Sequence, residues 1–91
     1  MKTLPAHVAA YHRTPEFDEH TLKHGLTHDH QTQAPVWAKI VVLAGRLQYI
    51  INAAEKETIV LDENLPGIVE PEVPHEVHPL GKVRFYVEFY R

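Results

Sequence analysis

Along most of this chain apolar residues recur at every second position, the spacing of a strand with one buried face. The clearest run is the last, where Val83, Phe85, Val87 and Phe89 alternate with Arg84, Tyr86, Glu88 and Tyr90. Residues 36–44 are rich in β-branched and apolar side chains. Ala44-Gly45-Arg46 then reads as a tight hairpin into residues 47–52, where Leu47, Tyr49 and Ile51 share a face. Residues 57–62 predict another strand, closed by the turn Glu63-Asn64-Leu65-Pro66-Gly67, after which Ile68 and Val69 return to strand. Residues 1–18, with Pro5 and Pro15, read as an irregular N-terminal arm carrying a short edge strand around residues 8–11. Residues 16–24 read as one or two helical turns that Gly25 stops. Some six short strands, regular turns and no long helix predict an all-β barrel or sandwich, as one domain over residues 1–91.

Composition narrows the function classes. The chain has 91 residues, 44% hydrophobic and 23% charged, which is ordinary for a globular protein. A net charge of -3 with acids and bases interspersed argues against a nucleic-acid partner. The longest apolar stretch, Ile40-Val41-Val42-Leu43-Ala44, is too short to cross a membrane. With no apolar leader at its start, the chain is expected to be soluble and cytoplasmic. It contains no cysteine, so disulfides and thiolate metal sites are excluded. It does contain eight histidines, at 7, 12, 20, 24, 28, 30, 75 and 78.

Two groups of histidines carry candidate chemistry. His28-Asp29-His30 places two imidazoles on one face if the segment is a strand, and neutral imidazole is the commonest metal ligand. The plainer reading is a polar loop with two solvated rings. His75 and His78 lie within the constrained stretch Pro66–Gly81, in which prolines at 71, 74 and 79 fix φ and remove backbone donors. Strand parity puts His75 on the face of Val77, and Glu76 with His78 on the other, so His75 is the inward candidate and His78 a surface residue. The spacing of His20, His24 and His28 would align them on a helix, a rival that Gly25 and Pro15 weaken. His7 and His12 read as surface residues. Glu70 reads either as an additional ligand or orienting acceptor, or as a solvated carboxylate like Glu72. Trp37, Tyr49, Tyr86 and Tyr90 read as core, with a tyrosine hydroxyl inside a barrel the alternative.

These residues resemble a known family. His28-Asp29-His30, then Val42-Leu43-Ala44-Gly45-Arg46-Leu47, then the stretch from Pro66 to Val77 are similar to the two-motif pattern of the cupins. More narrowly, Leu4-Pro5-Ala6, Arg13-Thr14-Pro15 and the run from Val83 to Phe89 resemble the small TehB/YeaR-like domain family associated with tellurite resistance. The resemblance implies a small cupin-type double-stranded β-helix, a jelly-roll barrel. It also implies a divalent metal held by His28, His30 and His75, the three that strand parity singles out. Where most metal-binding cupins carry a further glutamate, seven residues before Gly45, this chain has Ala38. Zinc is the first expectation for the metal, with iron(II) or nickel also compatible with imidazole ligands.

Two functional readings stay open. One is a metal-dependent protein whose three-histidine site leaves positions for a small molecule or oxyanion, in a setting of tellurite or oxidising stress. The other is a non-catalytic binding or sensing module, with a structural metal or none, paired as a homodimer as small cupins often are. No nucleotide-binding glycine motif and no general base apart from the proposed ligands stand out, so whether the protein is an enzyme is undecided.

Overall fold

The computed structural model describes residues 1–22 and 31–91. Six strands follow in order: β1 (Ala10–Arg13), β2 (Phe17–Asp18), β3 (Trp37–Ile51), β4 (Glu57–Leu61), β5 (Gly67–Val69) and β6 (His75–Tyr90). β3 and β6 form the frame. They pair antiparallel along their whole lengths, from Trp37 opposite Tyr90 to Ile51 opposite His75. β1 and β2 lie along the outer side of β6, while β5 and β4 flank opposite halves of β3. The result is all-β and antiparallel, with a radius of gyration of 12.1 Å. A packed chain of this length is expected near about 12 Å.

The expected hairpin at Ala44-Gly45-Arg46 is not there. The chain runs straight on as one strand of 15 residues, with its register against β6 shifting between Val42 and Ala44 and again between Gly45 and Leu47. The buried positions show why hairpin and bulge look alike in sequence. Ala38, Ile40 and Val42 are buried on even numbers, Leu47, Tyr49 and Ile51 on odd ones. An extra residue in a strand shifts the alternation, bends the strand and strengthens its twist. Both halves of β3 therefore point their apolar side inward across a corner. β6 turns with it, using Gly81 at φ 85 where β3 uses Gly45 at φ 80.

The core fills the inside of this corner. Tyr49, Phe85, Leu47, Leu61, Val69 and Val83 are its largest fully buried side chains, with Phe17, Val87 and Phe89 packed at its margin. At Gly67 an added Cβ would lie 2.7 Å from Leu61 Cδ1 and 3.2 Å from Tyr49 Cδ2, so glycine is what lets β5 approach this core.

Three further expectations change. Hydrogen bonding does not close the sheet among the described residues. Its order β1-β6-β3-β4 ends in β1 and β4, which do not pair with each other, whereas a closed barrel has no such edges. The helical turns expected over residues 16–24 reduce, as far as Leu22, to β2 and a single turn. Asp18 Oδ1 accepts the N–H groups of His20 and Thr21, each at 2.8 Å, and the N–H of Leu22 reaches the Asp18 carbonyl at 3.1 Å. The edge strand expected in the N-terminal arm is present as β1, two residues later than the expected 8–11. It is tied to β6 by Thr14 N–H to Val87 O at 2.8 Å and Val87 N–H to Thr14 Oγ1 at 2.9 Å.

The corner generates a test. A Cβ at Gly45 would lie 2.0 Å from the backbone oxygen of Lys82, whereas at Gly81 nothing lies within 4 Å. Gly45→Ala is expected to lower unfolding stability by more than about 2 kcal/mol, and Gly81→Ala by only about 1 kcal/mol, the cost of a left-handed residue alone. Denaturant titration of the two variants checks this, and equal losses would contradict the tight corner.

Candidate functional site

His75 opens β6 and lies opposite Ile51, on the inner face of the half-sheet beyond the corner. It is 6% exposed, beside Val77 at 3%, so parity places it as the sequence predicts. The Tyr49 ring meets it edge-on, with centroids 5.9 Å apart. The phenol donates to the Ile68 carbonyl at 2.8 Å. Burial first, then the charges of Glu70 and Glu57, push the Tyr49 pKa well above the ordinary phenol value. Tyr49 is therefore a neutral wall of the site with its hydroxyl already engaged.

The approach to His75 is tightly specified. Its Nδ1 lies 3.3 Å from the Val73 carbonyl. A carbonyl only accepts, so this contact is a hydrogen bond only in the neutral tautomer that carries its proton on Nδ1 and its lone pair on Nε2. Upstream, Glu72 adopts φ 63, a left-handed backbone uncommon outside glycine, and its N–H donates to the Thr32 carbonyl at 2.8 Å. Thr32 bridges to Pro71, and its hydroxyl donates to the Val36 carbonyl at 2.7 Å. Downstream, Asn52 N–H holds the Pro74 carbonyl at 2.8 Å. Among the described residues Thr32, 8% exposed, and His75 are the two buried polar side chains.

His78 falls on the opposite face. Its Nε2 is 2.8 Å from Glu76 Oε1, and Asn52 Nδ2 donates to Glu76 Oε2 at 3.1 Å. These two contacts, His78 first, hold the Glu76 carboxyl below its ordinary pKa.

The expected ligands are only partly placed. His28 and His30 lie outside the described residues, as do His24 and Gly25 of the helical rival. Among the described residues no three histidine, aspartate or glutamate side chains form a group able to hold a metal. His7, His12 and His20 are exposed. Ala38 is buried in β3 between Val69 and Phe89. Sequence reasoning did not single out Thr32, and treated Glu72 as a solvated carboxylate. A threonine two residues after His-x-His, and a lone residue with φ freedom between Pro71 and Val73-Pro74, were the available signals. A concavity lies at the corner, lined by Asp18, Glu19, Ala44, Gly45, Lys82, Val83 and Arg84. Its charged groups are largely engaged with their surroundings, Arg84 on Glu16 at 2.7 Å and Glu19 on the Val83 N–H at 3.1 Å.

A family model described as the TehB-like domain matches residues 3–87. No curated protein sequence matches the chain. A crystal structure of a protein from E. coli strain K12 superposes with a TM-score of 0.86 at 19% identity, covering 100% of this chain and 97% of that one. TehB from Haemophilus influenzae superposes with a TM-score of 0.82 at 22% identity, covering 91% of this chain but 31% of that one. At these identities the structures share the fold. No helix among the described residues is long and apolar enough to cross a membrane.

The outer-face contacts predict a pH effect. Because the folded Glu76 pKa is lowered, its contribution is full above the ordinary glutamate pKa and is lost as pH falls through the lowered one. In His78→Ala the Glu76 carboxyl, followed by carbon NMR, is expected to titrate closer to its ordinary value. The stability difference from wild type should fade on acidification through that range. An unmoved Glu76 titration would contradict the pairing.

Proposed function

The chain belongs to the TehB-like domain family, and on that premise we propose that it is a small cupin-type metal-binding protein. In this reading the bent sheet is a double-stranded β-helix, and His28, His30 and His75 hold one divalent ion, zinc first. Bound there, the metal supplies Lewis acidity with positions open to a small molecule or oxyanion. The setting is tellurite or related oxidising stress.

The observation that carries this is His75 itself. It is a buried imidazole whose Nδ1 faces a backbone carbonyl, the arrangement that leaves Nε2 as a donor and fixes the ring. Chain connectivity adds support. Thr32 is clamped against Pro71 and Glu72, on the segment that leads to His75. His30 precedes it by two residues, at most about 7 Å of extended chain.

Elemental analysis of protein purified without a histidine tag tests the proposal. A divalent transition metal should copurify or bind on addition, and His75→Ala should weaken binding by about 100-fold or more, the loss of a ligand. Affinity should also fall below about pH 6, since imidazoles must be neutral to bind. Absence of binding in the wild type, or unchanged affinity in His75→Ala, would falsify the site.

A further inference from the structure

We propose that Thr32, acting through the left-handed Glu72, is a positioning residue that holds His75 in its Nδ1-protonated form, the form presenting Nε2 as a lone-pair donor. Its relevance to metal rests on the reading above, but the positioning itself stands on the observed contacts.

The connection runs through four hydrogen bonds. The Thr32 hydroxyl closes the segment 32–36 onto the Val36 carbonyl at 2.7 Å, and Val36 N–H returns to the Gln33 carbonyl at 2.8 Å. This places the Thr32 carbonyl where the Glu72 N–H reaches it at 2.8 Å. Between Pro71 and Pro74 only Glu72 and Val73 possess an N–H, because proline has none. The Val73 N–H makes a long contact of 3.5 Å to Glu70, so Glu72 supplies the short tether. The same residue carries the φ of 63, strained for a side chain with a Cβ. Reversing the chain there brings the Val73 carbonyl back to His75 Nδ1 at 3.3 Å. A buried hydroxyl is costly unless bonded, and valine would fill the Thr32 position as well by shape. The hydroxyl is therefore explained by the bond it makes and by what that bond holds.

Nitrogen-15 NMR of the His75 ring in metal-free protein, at a pH where the ring is neutral, reads the tautomer directly. The wild type should show a protonated Nδ1 and an unprotonated Nε2. Thr32→Val should give a mixture of tautomers and lower zinc affinity about tenfold. Thr32→Ser, which keeps the hydroxyl, should retain the wild-type signature. Glu72→Gly, which keeps the N–H and relieves the strain, should retain it too. A wild-type ring protonated on Nε2 overturns the proposal without any variant. So does a folded Thr32→Val with wild-type tautomer and affinity. If the tautomer responds as stated but the wild type binds no zinc, the positioning is supported and the metal reading fails.

Discussion

The structure depends on the close crossing of β3 and β6 at Gly45. The Lys82 carbonyl stands where a Cβ would be, only 2.0 Å away, so the two long strands can bend together only if one of them has no side chain at that point. Everything inward follows from the bend. Without the register shift, the buried set of β3 beyond the corner would face outward, because one residue of slip exchanges the faces of a strand. With it, Leu47, Tyr49 and Ile51 join Ala38, Ile40 and Val42 in one core.

The same parity divides the C-terminal histidines. His75 and Val77 turn to the core, while Glu76 and His78 meet on the outside. Asn52 links the two sides: its backbone N–H holds Pro74, next to the buried ring, and its side chain holds Glu76. The short segment from Glu70 to Pro74 is thus secured from β3 and from Thr32. That is the backbone control a buried imidazole needs if it is to act as a ligand in one orientation.

Much of this was legible in the residues. The period-two run from Val83 to Phe89, the strand at 57–61 and the turn before Gly67 carry local signals, and they form as predicted. His75 was legible because Val77 fixes its parity. The corner was not, since a glycine at positive φ with a change of phase describes both a two-residue hairpin and a bulge. Which one forms is decided by β6, whose long pairing with β3 is a non-local fact. Thr32 was hidden for the same reason: its partners, Pro71 and Glu72, lie some forty residues away.

The donor set of the proposed centre bears on its ligand. Imidazoles bind metal in their neutral form, so three of them cancel none of a divalent ion's charge. Ala38, standing where most metal-binding cupins carry a glutamate, is a methyl group in the core between Val69 and Phe89 and supplies no negative ligand. Tyr49 does not compensate either, because its burial and the nearby carboxylates keep the phenol protonated. On an apolar inner face built from Val77, Ile51 and Leu47, that charge would be offset through space by Glu70 and Glu57, the carboxylates that act on Tyr49, rather than by ligation. The ligand that matches such a centre is itself negative and small. If the proposed three-histidine centre forms, a small oxyanion would suit it on electrostatic grounds.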